Sequence, residues 1–168
     1  MSGEIENRIA QSGLITINLE EWIQGEVFSC IDIKPILWQG MALRESDLRQ
    51  YIKESDPEMY IGEWIYFPIP NEVILPQWAH LLLGVHFGRH CKAFFIGDLI
   101  QAKEQCLLTK IQQLDISPYQ DARVIIKGCT GEFVTARVQM ELLQRILPVV
   151  KSLMFGEPCS TVPLFKRK

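Results

Sequence analysis

Ala93-Phe94-Phe95-Ile96-Gly97-Asp98-Leu99, continued by Ala102, Cys106, Leu107 and Lys110 at helical spacing, is the stretch that decides the fold class. Four apolar residues, two of them aromatic, stopped by Gly-Asp, make the pattern of a short buried strand. A strand that turns directly into a helix is half of a βαβ unit. The same alternation recurs on both sides of it.

Upstream, residues 27–33 (Val-Phe-Ser-Cys-Ile-Asp-Ile) read as a strand. Pro35 interrupts, and 36–43 reads as a second strand around Gly40. Ser46 or Asp47 is the expected cap of a helix reaching about Glu54, with Leu48, Tyr51 and Ile52 on one face. Residues 62–69, dense in Trp, Tyr, Phe and Ile, have the composition of a buried strand. Pro76 suits the first turn of a helix, along which Trp78, Leu81, Leu82 and Val85 keep helical spacing.

Downstream, residues 123–126 read as the next strand, ended by Gly128. Residues 134–155 predict one long helix, with Val138, Leu142, Ile146, Val149, Val150 and Leu153 in period and a kink at Pro148. Residues 161–165 close the chain as an edge strand, where Pro163 is tolerated. The beginning is less regular: 5–17 reads as helix or extended arm, and 19–22 as a short turn. Together these predict an α/β fold, a mostly parallel or mixed sheet of about five strands with helices on both faces. The outline is three-layered and Rossmann-like, without a nucleotide motif. No repeat or Ser/Gly linker marks a boundary, so a single domain over 1–168 is expected, with an N-terminal arm over 1–25.

Composition narrows the function classes. A net charge of −3 gives no electrostatic footprint for nucleic acid, and the Lys166-Arg167-Lys168 cluster reads as a solvated end. The most apolar run, 73–87, is too short and too polar to span a bilayer. The acidic N-terminus lacks the layout of a secretory signal, which makes the cytoplasm the expected location. There the five cysteines, odd in number and without a Cys-x-x-Cys spacing, are expected to stay reduced.

Two of those cysteines stand in turns: Cys129 in Lys127-Gly128-Cys129-Thr130-Gly131, and Cys159 in Gly156-Glu157-Pro158-Cys159-Ser160-Thr161-Val162-Pro163. Turn-mounted thiols are candidates for metal binding, redox work or sulfur transfer, and a helix starting near Val134 would activate Cys129. The plain alternative is a turn with a small residue in it. Two thiols fall short of the four ligands zinc prefers. His80, His86, His90 and Asp98 are the residues left to complete a metal site. His86 and His90 share a helical face, but Gly88 lies between them and the metalloprotease Glu is missing, so capping or solvent-facing histidines are the better reading. Cys30, Cys91 and Cys106 are read as packing residues.

Ligands of open α/β sheets bind outside the carboxyl ends of the strands. This makes Asp98 and Asp32 candidate cleft residues, Asp98 on a rim shared with Cys129 and Asp32 beside Lys34 facing either cleft or water. Arg44, Glu45, Asp47 and Arg49 crowd a helix start, where they either hold an anion or form a salt-bridged, solvated face. No phosphate loop, dinucleotide fingerprint or nucleophile elbow is present.

These runs also carry a resemblance. Ile31-Asp32-Ile33-Lys34, Leu43-Arg44-Glu45 with Asp47 and Arg49, Pro76-x-Trp78-Ala79, Lys127-Gly128-Cys129 and the closing 156–163 segment resemble an uncharacterised bacterial family, domain-of-unknown-function family 2480, over nearly the whole chain. The resemblance implies that Arg44, Glu45, Trp78, Cys129 and Cys159 belong to the family's motifs, and that the three histidines do not. It carries no activity with it.

Three functions compete on this evidence. A binding or assembly module, with the apolar surplus (four Trp among it) forming a homodimer surface, is the preferred reading. A thiol protein using Cys129 and Cys159, with a metal ion as candidate cofactor, is the alternative. A hydrolase or transferase using Asp98, Asp32 or Glu45 lacks a paired-carboxylate or triad signature. The small-molecule ligand of any of them is not named by the sequence.

Overall fold

The computed structural model describes residues 13–128, 131–157 and 159–168. Among them are seven strands: β1 Leu14–Ile17, β2 Phe28–Cys30, β3 Trp64–Phe67, β4 Ala93–Ile96, β5 Arg123–Ile126, β6 Ser152–Glu157 and β7 Ser160–Lys166. Four α-helices accompany them: α1 Glu45–Glu54, α2 Ala79–Phe87, α3 Leu99–Gln112 and α4 Ala136–Ile146. The α/β class stands. The strands, expected in one sheet of about five, divide into a sheet ordered β1-β5-β6-β7 and another ordered β2-β3-β4. Strand character is local, whereas pairing is decided by partners far along the chain, and periodicity carries no information about that.

The described residues form two compact units, one built from 13–24 and from 107 onward, the other from Gly25–Cys106, which interrupts the first in sequence. In the Gly25–Cys106 unit the sheet is wholly parallel. Its order matches the chain order, so successive crossovers of one hand set their helices on one face. Accordingly α1 and α2 feed a single core: Leu48 from α1 and Ala79, Leu83 and Phe87 from α2 meet Ile31, Ile33, Ile65 and Phe67 of the sheet side. The Phe87 ring packs edge-on against Tyr60, with centroids 5.4 Å apart.

α1 is present, but it starts at Glu45, before the expected cap residues Ser46 and Asp47, which lie inside its first turn; its cap residue, Arg44, makes no side-chain capping bond. The strand expected over 36–43 is absent. Lys34–Ile36 is a 3-10 turn, and Trp38 bridges Ala42 across the consecutive left-handed residues Gln39 and Gly40. Two such residues in a row reverse the chain. α2 is present, but its buried face is Ala79, Leu83 and Phe87 rather than Trp78, Leu81, Leu82 and Val85.

In the other unit β1, β5 and β6 run parallel and β7 is antiparallel beside β6. Part of the expected arm is therefore a strand, and 19–22 falls in a 3-10 turn over Leu19–Ile23. Residues 1–12 lie outside the described residues. The long helix expected over 134–155 is a correction. α4 is capped by Thr135, whose hydroxyl accepts from the Val138 N–H, and ends at Ile146, one residue before the cap position Leu147. Pro148 has no N–H to donate and disfavours helix in the residue before it, so it stops α4 instead of kinking it. Val138, Leu142 and Ile146 are buried from the helix, whereas Val150 and Leu153 are buried from a turn and from β6.

Gly156, just past the helix expected over 134–155, lies in β6 with φ +124°, and a Cβ there would meet the Ser160 carbonyl oxygen at 2.5 Å. The β6–β7 pairing runs to Glu157 opposite Ser160, so Cys159 sits in the connection, with β7 and its Pro163 at the sheet edge as expected.

Candidate functional site

The α1–α2 surface of the Gly25–Cys106 unit gathers Arg44, Glu45, Asp47, Arg49 and Trp78. Arg44 and Asp47 join in a two-toothed ion pair, Nε to Oδ2 at 2.7 Å and Nη2 to Oδ1 at 3.1 Å. One turn on, the Arg49 Nε donates to the Glu45 Oε1 at 2.8 Å. These are the i,i+3 and i,i+4 pairs a helix surface allows. The Arg44 guanidinium holds the Asp47 carboxyl below the ordinary carboxylate range. Of the two readings of this cluster, the salt-bridged face is the one the geometry supports.

Glu45 and Arg49 form the polar rim of a groove of about 320 Å³ whose floor is Trp78, Leu81, Leu82 and Val85. Trp78 is 38% exposed, Leu81 63% and Val85 61%. Side chains of this kind on one helix are the opposite of what amphipathic burial requires. Met41 and Ile74, both exposed, are joined by the Ile74 N–H donating to the Met41 carbonyl at 2.8 Å.

Asp98 caps α3. Its Oδ1 accepts from the Gln101 N–H at 2.9 Å, and the Gln101 Oε1 accepts from the Asp98 N–H at the same distance. That reciprocal pair is a complete structural role. Asp32 lies elsewhere, at the mouth of a cleft beyond the carboxyl ends of β2 and β3, together with Lys34 and Cys30. Cys30, read from the sequence as packing, is exposed, and this corrects that expectation. The signal was available: in Cys30-Ile31-Asp32-Ile33 the isoleucines are buried and the residues between them exposed, the period-two pattern of a half-buried strand.

Cys159 is exposed and Cys106 is buried, while Cys91 is partly buried. Cys129 lies outside the described residues. At the edge that carries the Cys159 connection, the Glu157 Oε1 is buried without a hydrogen-bond partner among the described residues. Glu20, just after β1, accepts the Gly131 N–H. Among the described residues no cluster of three His, Cys, Asp or Glu side chains is arranged to hold a metal ion. The His86 Nε2 is instead 3.0 Å from the Ser55 Oγ, and its ring packs edge-on against Phe87. No helix among the described residues is long and apolar enough to cross a membrane.

The fold and these surfaces define an α/β protein of two compact units with parallel βαβ crossovers and a salt-bridged, apolar helix face. The model of the family of proteins of unknown function DUF2480 matches residues 3–167, and the chain belongs to that family. No curated protein and no solved structure matches it.

Proposed function

We propose that the chain is a cytoplasmic binding and assembly module that forms a homodimer through the exposed face of α2. The observation that carries this is the Trp78–Leu81–Val85 face, apolar and open to solvent beside a rim of one acidic and one basic residue. A twofold axis brings the same edge against itself in reverse, so Arg49 of each copy meets Glu45 of the other. The rim is thus complementary to itself. A nine-residue helix is about 14 Å long and cannot alone supply the ~1,600 Å² of a typical interface, so the contact extends onto Met41 and Ile74. That Cys30, Cys91 and Cys159 form no disulfide among the described residues suits a reducing cytoplasm.

Sedimentation velocity at micromolar concentration tests the reading. Wild type sediments as a dimer, and Leu81→Glu or Val85→Glu, at sites exposed in the single chain, sediments as a folded monomer. Glu45→Arg weakens the dimer by setting like charges across the axis, and adding Arg49→Glu restores it. A monomeric wild type refutes the proposal.

A second reading, thiol chemistry or metal binding at Cys129 and Cys159, draws support from the strands that lead to the two motifs. β5 and β6 are parallel neighbours, and a Cβ added at Gly128 would lie 3.2 Å from the Gly156 Cα. Gly128 and Gly156 therefore stand side by side at the carboxyl ends of adjacent central strands. Elemental analysis of tag-free protein purified without oxygen, beside Cys129→Ser and Cys159→Ser, separates the cases. Metal lost from both variants supports a shared site, and a metal-free wild type removes the metal form of the idea.

A further inference from the structure

Beyond the carboxyl ends of β2 and β3, on a surface separate from the α2 groove, lies a cleft of about 470 Å³. This is where parallel α/β sheets bind ligands, and the volume is within the range of small-molecule sites. Its polar lining is Cys30, Asp32, Lys34 and Asn71, and its apolar lining is residues 68–70, Pro-Ile-Pro. Prolines fix their own φ, so that wall is stiff before any ligand arrives.

The charges in this lining are uncommitted. The Asp32 Oδ1 accepts the Lys34 backbone N–H at 2.9 Å, which fixes the carboxylate at the mouth and leaves Oδ2 open. Among the described residues neither Asp32 nor Lys34 makes an ion pair. Elsewhere on this unit the cleft beside α1 is different, because its Arg44 and Asp47 neutralise each other.

Cys30 adds no third charge. Burial pushes its thiol up, and Tyr66, its register partner on β3, only partly offsets this. The nearby Asp98 carboxylate is occupied in capping α3. What remains is one negative and one positive group, two residues apart where the chain leaves β2 and enters the 3-10 turn, beside an amide and an apolar wall.

We propose that this cleft binds a small zwitterion of the amino-acid class, its ammonium on the Asp32 carboxylate, its carboxylate on the Lys34 ammonium and the Asn71 amide, and its side chain against residues 68–70. A simple anion would leave Asp32 opposed to it, and a divalent cation would find a single carboxylate. Matching both charges gives Asp32, Lys34 and Asn71 each a partner.

The probes are the twenty free L-amino acids, tested on the full chain by saturation-transfer NMR. Each binder is then compared with its N-acetyl derivative and its methyl ester. A second readout is the rate at which iodoacetamide alkylates Cys30, followed by peptide mass spectrometry, with exposed Cys159 as the reference. At least one amino acid binds and slows alkylation at Cys30 but not at Cys159, and both N-acetylation and esterification abolish the effect. Asp32→Asn keeps an acceptor for the Lys34 N–H, so the turn survives, and it weakens binding about tenfold or more, as does Lys34→Gln. Failure of all twenty to bind, equal binding by an N-acetyl or ester derivative, or equal protection of both cysteines overturns the proposal.

Discussion

Replacing Gly156 by alanine destabilises the unit that carries the Cys159 hairpin, and the size of the loss follows from two separate terms. At φ +124° the backbone lies where a side chain is strained, which costs about 1–3 kcal/mol. The added Cβ also falls 2.5 Å from the Ser160 carbonyl oxygen and 3.4 Å from the Thr161 Cα. Those atoms belong to β7, which is hydrogen-bonded to β6 along its length, so the clash is relieved only by moving main chain. Overpacking of that kind costs about another 1–3 kcal/mol. Gly13→Ala serves as a reference that carries left-handed backbone strain without a clash, because Gly13 has φ +61° with nothing within 4 Å of its added Cβ. The expected outcome in urea titration is a loss of ~3 kcal/mol or more for Gly156→Ala against ~1 kcal/mol for Gly13→Ala. In thermal melts the first corresponds to a fall of about 6–12 °C for a chain of this size. A Gly156→Ala protein no less stable than Gly13→Ala would refute the reasoning, since it would mean that the hairpin relaxes without cost.

Other expectations can be checked with single variants. Tyr66→Phe removes the partner that draws the Cys30 thiol down, so the pH midpoint of Cys30 alkylation moves higher, further above the ordinary thiol range. An unchanged midpoint would show that the phenol does not reach the thiol. Asp47 has a depressed carboxyl, so its stabilising contribution is present above the ordinary carboxylate range and is lost as pH falls through the depressed value. Arg44→Gln returns the Asp47 midpoint toward the ordinary range in a carboxyl-carbon NMR titration, and no movement would mean that the pair does not persist in solution. In the monomeric Val85→Glu background, Phe87→Ala opens a cavity in the core it shares with Leu83 and Ile65 and lowers unfolding free energy by about 3–5 kcal/mol, whereas Leu81→Ala on the exposed side of the same helix costs well under 1. Comparable losses at the two sites would reverse the assignment of the faces of α2.

That last comparison shows where the sequence is and is not legible. Strands β4 and β5 are readable to the residue, because each is a compact apolar run closed by a Gly-marked turn. The existence of α2 is readable too, but not its orientation: apolar residues surround Ala79–Phe87 on every side, so a helical period can be drawn through the wrong set as easily as the right one. What selects Ala79, Leu83 and Phe87 is the shape of the core they enter, a property of the assembled unit. Residues 134–155 fail for a related reason. Val150 and Leu153 are buried at helical spacing by coincidence of turn and strand, and only the chemistry of Pro148 marks the change. The interruption of one unit by the other leaves no trace, since no linker composition accompanies it. Residue choice around the candidate sites divides in the same way. Glu45, Arg49 and Trp78 were legible as motif residues, yet their common groove depends on α1 and α2 lying side by side. Cys30 was missed because residue type was weighed above alternation. Its burial-prone chemistry points inward, while Ile31 and Ile33 on either side of Asp32 already occupy the inward positions. With the inward positions taken by Ile31 and Ile33, Cys30 at the end of β2 and Asp32 just beyond it are left outward, and Lys34, the first residue of the 3-10 turn that follows, joins them, so that a thiol, a carboxylate and an ammonium line one cleft.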